Sequence, residues 1–184
     1  MKFYTSDLHL SHQKIIEYEN RPFSSVEEMN ERLIENWNHK VKKGDEVYIL
    51  GDFAFCKGTE ANELLKRLNG QKFLIRGNHD NFVDDKTFDA SLFRWIKYYA
   101  TIKDDGHTVV MFHYPIAVWD RQHHGSIHLY GHIHVNKSGH HPLRAKLKNA
   151  YNVGVDVCDF EPKTLAELTA KTNWFTRMIK KSES

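Results

Sequence analysis

The sequence predicts an α/β fold, with its strands in one sheet or in two packed sheets. In the first half, short strand-like runs alternate with helical patterns, an order that favours parallel strands joined by helices. The second half is richer in strand-like runs, which favours antiparallel additions. The 184 residues fit one domain, and no linker or internal repeat interrupts them, so we expect a single domain over residues 1–184.

The individual elements follow from periodicity and from residues that begin or end them. A stripe of apolar residues at helical spacing runs through residues 25–40, and Ser25 with Glu28 forms a capping-box pattern at its start. Ser11 and Thr59 are the expected N-caps of two further helices, and Asp105-Gly106 marks a hairpin turn. Strands are expected at residues 2–6, 46–50, 71–76, 94–102, 107–112, 127–130, 143–147 and 150–157, and helices at 11–19, 25–40, 59–68 and 164–171.

Composition excludes several classes of protein. The net charge is +2, so no strong basic field indicates nucleic-acid binding. Charge appears too early for a secretory signal, no apolar run reaches transmembrane length, and the two cysteines form no CxxC pair. We therefore expect a cytoplasmic protein with no membrane segment. The unusual feature is the count of 13 histidines, the residue that most often ligates metals.

Five strand-like runs end in side chains that bind metals, and functional groups gather at the carboxyl ends of strands in α/β proteins. Strand alternation predicts that the outer members of Asp-x-His and His-x-His point together, with Leu8 and Ile133 in the core. Carboxylate, amide and imidazole groups suit first-row divalent metals. Two ions sharing a site need a bridging carboxylate, for which Asp52 is the candidate. The residues are Asp7 and His9, Asp52, Asn78 and His79, His113, and His132 with His134.

The turn at Gly77 connects one of these runs to its polar residues. Gly77 follows the apolar pair Leu74-Ile75 and precedes Asn78-His79-Asp80. Because glycine lacks a Cβ, Gly77 suits a tight turn: it can adopt a positive φ, and it lets other groups approach closely.

These motifs, in this order between Asp7 and His134, resemble the calcineurin-like metallophosphoesterase family. The resemblance implies a four-layer α-β-β-α sandwich of two mixed sheets flanked by helices, with two divalent ions (manganese, iron or zinc) at the strand ends. It implies hydrolysis of a phosphomonoester or phosphodiester by a metal-bound hydroxide. The substrate would be a small phosphoester, with nucleotides among the candidates. By position in the motifs, one ion belongs to Asp7, His9 and His134, and the other to Asn78, His113 and His132, with Asp52 between them.

The same resemblance suggests roles for residues next to the ligands. His79 would contact the phosphate and protonate the leaving oxygen, while Asp80 either holds His79 or is a solvated turn residue. Arg21 is either a bidentate phosphate ligand or a surface arginine. His12 is either a substrate contact or a first-turn helix residue, and Tyr114 is a candidate for lining the pocket. The stretches 20–23 and 151–156 also resemble small bacterial and phage members of the family.

Two other functions are consistent with the same motifs. A nuclease acting on single-stranded nucleic acid is disfavoured by the near-neutral charge. A non-catalytic interaction scaffold of the same fold is disfavoured because the ligand set and His79 are intact. Metal content and turnover distinguish an enzyme from a scaffold. The sequence predicts no oligomeric state.

Overall fold

The computed structural model describes residues 1–135 and 147–170, which form two sheets flanked by helices. The strands are β1 (Lys2–Thr5), β2 (Glu46–Ile49), β3 (Gln71–Ile75), β4 (Ile96–Lys97), β5 (Tyr99–Asp104), β6 (His107–Phe112), β7 (Ile127–Tyr130) and β8 (Ala150–Asn152). The helices are α1 (Gln13–Glu19), α2 (Val26–Lys40), α3 (Gly58–Arg67) and α4 (Leu165–Thr169).

The first sheet has the order β1-β2-β3-β4, and all of these neighbours pair in parallel. An isolated antiparallel bridge between Tyr4 and Lys163 lies at the edge of the sheet formed by β1. This sheet was expected to be mixed, and among the described residues that bridge is its sole antiparallel pairing. The apolar stripe of α2, including Leu33 and Trp37, packs with Leu65 of α3 against this sheet, as periodicity predicted.

The second sheet has the order β5-β6-β7-β8 and is mixed. Strands β5 and β6 form an antiparallel hairpin, whereas β6-β7 and β7-β8 are parallel. The predicted hairpin turn is confirmed, because Asp105 and Gly106 both have positive φ. Alternate residues of the two sheets interdigitate between them, with Leu50 and Ile75 meeting Met111 and Leu129.

The outer face of the second sheet carries the buried ring of His128, which packs against Trp119 at a centroid distance of 5.3 Å. Trp119 belongs to the loop between β6 and β7, which contains a single 3-10 turn at Gln122–His124. Within residues 1–135 and 147–170, this loop covers His128. Helix α4 instead packs with its Leu165 and Leu168 beside the layer between the sheets.

Several predicted boundaries are wrong. The run 94–102 divides into β4 and β5, because the chain leaves the first sheet after Lys97 and enters the second at Tyr99. The run 150–157 ends as a strand at Asn152 and continues as a 3-10 turn. Helices α1 and α3 follow His12 and Lys57 as N-caps, so Ser11 and Thr59 are not caps.

Other local expectations are partly confirmed. Ser25 accepts a hydrogen bond from the amide of Glu28, but the Glu28 carboxylate accepts from Ser24 and not from Ser25. The expected strand at 143–147 lies almost entirely outside the described residues. Cys56 and Cys158 are both free thiols. Among the described residues, no helix has the length and apolar character needed to cross a bilayer.

Candidate metal centre

Two groups of potential metal ligands lie at the carboxyl ends of the strands in both sheets. In each group the ligand atoms lie within 4.8 Å of one another. The first group is Asp7, His9 and His134, and the second is Asp52, His113 and His132. The motifs that were far apart in the sequence are therefore brought together in two groups. The first contains the residues that the resemblance implied, and the second contains Asp52 where the resemblance implied Asn78.

The carboxylate of Asp52 lies between the two groups. Its Oδ2 is 3.6 Å from Nε2 of His9 in the first group and 3.5 Å from Nε2 of His113 in the second. Asn78 extends the second group, because its Oδ1 is 3.1 Å from the same His113 nitrogen. Asp52 has the position that a bridging carboxylate between two ions requires.

The backbone at these ligands is not extended, so the strand alternation invoked to pair them is wrong. Strand β1 ends at Thr5, and the ligands that follow lie in the left-handed region, which few residues other than glycine adopt. Leu8 is buried as expected, but Ile133 is only half-buried. Such backbone conformations concentrate at functional sites. The residues are Asp7 (φ 56°), His9 (φ 50°), Asp52 (φ 55°), His132 (φ 68°) and His134 (φ 43°).

Glycines leave the room that this arrangement needs. A Cβ on Gly77 would lie 2.3 Å from Oδ1 of Asp52, and a Cβ on Gly131 would lie 2.5 Å from Oδ2 of Asp7. The expected close approach at Gly77 is confirmed, whereas Gly77 does not adopt the positive φ that its lack of a Cβ allows. The positive φ belongs to Gly51 (φ 94°), directly before Asp52.

Hydrogen bonds to the far side of the ring orient two of the candidate histidine ligands, His113 and His134. Nδ1 of His113 lies 2.7 Å from the carbonyl oxygen of Leu50, which leaves Nε2 facing Asp52. Nδ1 of His134 lies 2.7 Å from Oδ2 of Asp156. Partners of this kind fix the tautomer and orientation of metal-binding histidines.

Arg21 supports the site from beneath and is not a phosphate ligand. Its guanidinium is buried, pairs with both carboxylate oxygens of Asp156 at 2.8 and 2.9 Å, and donates to the carbonyl oxygens of Asp7 and Leu8. Both interpretations of Arg21 from the sequence are therefore wrong. Asp156, which had no assigned role, connects Arg21 to His134. The polar stretch around Asn152 and Asp156 was the sequence feature that could have indicated a role for Asp156. Its partners Arg21 and His134 are too far away in sequence to be predicted from it.

Asp80 does not contact His79 as one interpretation proposed. Its carboxylate accepts from the backbone amides of Asp52, Phe53 and Gly77 at 3.0, 2.8 and 2.8 Å. It is fully buried, so it is not a solvated turn residue either. Asp80 thus ties the Gly77 turn to the Asp52 loop, and burial raises its pKa to about 6 despite these amides.

The remaining predicted residues surround the opening of the site. The His79 amide donates to Oδ1 of Asp52, and its half-buried ring lies 5.6 Å from the ring of His9. The hydroxyl of Tyr114 is 3.3 Å from Oδ1 of Asn78, and its ring packs 4.5 Å from that of His132. His12 is the N-cap residue of α1, and its ring stacks on Phe55 at 4.4 Å.

The electrostatics of the ligand set suit a bound cation. Burial lowers the pKa of His9 to about 3, so this ring is neutral, as a metal ligand must be. For His113, burial opposes the charged form, but the carboxylates of Asp52 and Asp7 outweigh it and raise its pKa to about 9. The carboxylates therefore hold a proton at His113 in the absence of another cation, and metal binding would release it.

The buried ring of His9 provides a direct test of whether a metal fits. Neither ring nitrogen has a hydrogen-bond partner among the residues that the structure describes. A buried polar atom without a partner costs roughly 1–3 kcal/mol. A divalent ion held by Asp7, His9 and His134 would give one of these two nitrogens a partner. The residues of the first group therefore fit a divalent ion, and the second group offers a carboxylate and two imidazoles to another.

Comparisons with known proteins give the family of the chain and agree with its fold. The profile of the family described as calcineurin-like phosphoesterase matches residues 3–106, and the chain belongs to this family. It is 40% identical over 162 residues to an uncharacterized protein of Methanocaldococcus jannaschii, covering 87% of this chain and 84% of the relative. It is 31% identical over 159 residues to the Gene 66 protein of Mycobacterium phage D29, covering 72% and 77%, respectively.

A solved structure supports the fold. The crystal structure of a protein of unknown function from Aquifex aeolicus superposes with a TM-score of 0.71 at 24% identity, covering 99% of this chain and 98% of that one. At this level of identity the similarity establishes the fold alone.

The close approach at Gly77 generates the first testable prediction. Gly77→Ala places a methyl group against Asp52, so we expect metal affinity to fall by roughly tenfold to a hundredfold, the range seen when ligand support is disturbed. Gly44→Ala is the matched control, because a Cβ there meets no atom within 4 Å. Calorimetric titration with Mn²⁺ measures both. Equal affinities in the two variants would show that Gly77 does not position Asp52.

A second prediction concerns the buried pair of Arg21 and Asp156. Arg21→Met leaves the buried Asp156 carboxylate without its arginine partner, so the free energy of unfolding of the metal-free protein should fall by about 3–5 kcal/mol. The control is Arg67→Met, which breaks a similarly bidentate but exposed pair with Glu31 and should cost less than about 1 kcal/mol. Urea unfolding followed by circular dichroism measures both. Similar losses in the two variants would contradict the assigned supporting role.

Proposed function

We propose that this protein is a phosphoesterase that uses two divalent metal ions to hydrolyse phosphomonoesters or phosphodiesters. The observation that carries the proposal is the position of Asp52 Oδ2, 3.6 Å from a histidine of one ligand group and 3.5 Å from a histidine of the other. Membership of the calcineurin-like phosphoesterase family supports the reaction class. The two ligand groups support a dinuclear centre.

In this proposal the ligand groups hold the ions, and neighbouring residues act on the substrate. The ions, when bound, would activate water for attack on phosphorus and neutralise charge on the phosphoryl oxygens. Asp52 shares its carboxylate between the groups, and Asn78 supplies an amide oxygen beside His113. The hydrogen bond from Tyr114 to Asn78 orients that amide at the exposed edge of the site.

His79 is the proposed general acid for the leaving oxygen. Its backbone amide is fixed by Asp52, which places the ring next to the ligand groups and outside both of them. Because the ring is half-buried and lies beside His9, it is accessible to a phosphoester bound at the ions. General acid catalysis by a positioned histidine contributes roughly a hundredfold to ten-thousandfold to a rate.

Finer features of the proposal follow from the sequence and the family. We propose that the ions are manganese, iron or zinc, that the substrate is a small phosphoester, and that residues 1–184 form one domain acting in the cytoplasm. The net charge of +2 gives no support to a nuclease. Among the described residues, no specific observation favours a scaffold role. A scaffold also has no need of two largely buried groups of metal-binding side chains.

The third prediction tests the reaction and the role of His79 together. The metal-loaded protein should hydrolyse phosphoesters, lose activity with a chelator and regain it with Mn²⁺. His79→Ala should keep its metal content but lose roughly a hundredfold or more in kcat on esters with an alkyl leaving group. The loss should be much smaller with nitrophenyl esters, because a nitrophenolate leaves without a proton.

Three results would each contradict part of this proposal. Absence of turnover by the metal-loaded protein across mono- and diesters would exclude the enzymatic function. Loss of metal in His79→Ala would make His79 a ligand. An equal loss on alkyl and nitrophenyl esters would exclude proton donation to the leaving oxygen and leave His79 as a phosphate contact.

A further inference from the structure

A cavity of about 230 Å³ opens beside the metal centre, and apart from His79 its lining residues have no role in the chemistry described above. It is lined by Phe55, Cys56, Lys57, His79 and Asn81, and we call it the side pocket. His79 is the residue that it shares with the proposed catalytic site. A molecule bound at the ions and contacting His79 therefore has the side pocket next to its leaving group.

Aromatic rings connect the side pocket to the ligand groups in a closed circuit. The ring of His9 lies 5.4 Å from that of His12, and the His12 ring stacks on Phe55 at 4.4 Å with an interplanar angle of 17°. The ring of Phe55 lies 5.7 Å from that of His79, and the His79 ring lies 5.6 Å from that of His9. The side pocket is thus one ring away from a metal ligand.

Phe55 has the properties of a stacking platform. Its backbone is anchored, because its amide donates to the carbonyl oxygen of Leu10 at 2.8 Å and Ala54 forms a bridge with Leu10. Phe55 is nevertheless 48% exposed as a residue, with the His12 ring packed in parallel on its own ring. An anchored aromatic residue that keeps half of its surface in water beside a reactive centre offers apolar area for a planar group to cover.

The other residues of the side pocket are polar at the rim. Lys57 and Asn81 are exposed and supply an ammonium donor and an amide that both donates and accepts. These groups match the edge of a heterocycle better than they match an alkyl chain. The volume is below the roughly 300–1,000 Å³ of sites that enclose a whole drug-sized ligand, so it suits a single ring system.

We propose that the side pocket binds the nucleobase of a nucleotide substrate, with the base against Phe55 and its edge toward Lys57 and Asn81. This assignment rests on the proposed function, because the phosphate of the nucleotide is placed at the two ligand groups. It narrows the substrate class from small phosphoesters to nucleoside phosphoesters.

The experiment compares pairs of substrates that share the same ester and differ in the base. AMP is paired with ribose 5-phosphate, and for diester hydrolysis the methyl ester of AMP is paired with that of ribose 5-phosphate. The parent protein should show a KM for the adenosine compound that is lower by roughly tenfold or more, the range of base stacking on an aromatic side chain.

Substitutions at Phe55 then test the platform itself. Phe55→Leu keeps an apolar side chain but removes the ring, and should reduce the preference for the base roughly fivefold to tenfold. Phe55→Trp should retain or increase the preference. Tyr99→Leu removes another partly exposed ring, on β5 in the second sheet, and should leave the preference as in the parent.

The outcomes separate the side pocket from the proposed function. Hydrolysis with equal KM values within each pair, or a preference that Phe55→Leu leaves unchanged, overturns the side pocket assignment while the phosphoesterase stands. Absence of hydrolysis overturns the proposed function, and calorimetric binding of AMP and ribose 5-phosphate to the metal-loaded protein then decides about the pocket. In that case, the side pocket assignment is supported if AMP binds more tightly than ribose 5-phosphate and Phe55→Leu removes this difference. Equal binding of the two compounds overturns the assignment.

Discussion

The carboxylate of Asp52 is the interaction on which the rest of the site depends. One oxygen accepts from the His79 amide, and the other lies between histidines contributed by the first and second sheets. Burial would by itself raise the pKa of Asp52, but the contacts with His113 and the His79 amide lower it to about 2, so the group stays ionised. A buried negative charge at the junction of two sheets needs a positive partner. In the metal-free protein, the protonated ring of His113 supplies this positive charge. Two bound ions would replace it.

Support for this junction comes from groups that are distant in sequence. Asp80 holds the backbone of the Asp52 loop through three amides, and Arg21 holds the carbonyl groups of the Asp7 turn while pairing with Asp156. Both side chains use their hydrogen-bonding capacity on the scaffold and not on a substrate. Because buried charges that lose a partner are costly, these residues restrict the ligands to one arrangement. The left-handed backbone at the ligands is tolerated because such contacts surround it.

The residues that the site brings together were more predictable from sequence than the backbone geometry that brings them together. The types of candidate ligand and their order in the sequence predicted a dinuclear centre. Few other kinds of site use Asp7, His9 and Asp52 together with two further histidine motifs. Strand alternation gave the right pairing of Asp7 with His9 for the wrong reason, because left-handed φ values depend on tertiary contacts. Arg21 was misassigned because its partner lies 135 residues away in sequence. Strands β4 and β5 looked continuous because the run 94–102 is rich in β-branched and aromatic residues throughout, and only packing shows where the chain changes sheets.

Anomalous diffraction from crystals of the manganese-loaded protein tests the central claim most directly. The account predicts two peaks roughly 3.5–4 Å apart on either side of Asp52 Oδ2. One peak should be ligated by Asp7, His9 and His134, and the other by His113, His132 and Asn78. A single peak, or two ions that do not share Asp52, would contradict the account.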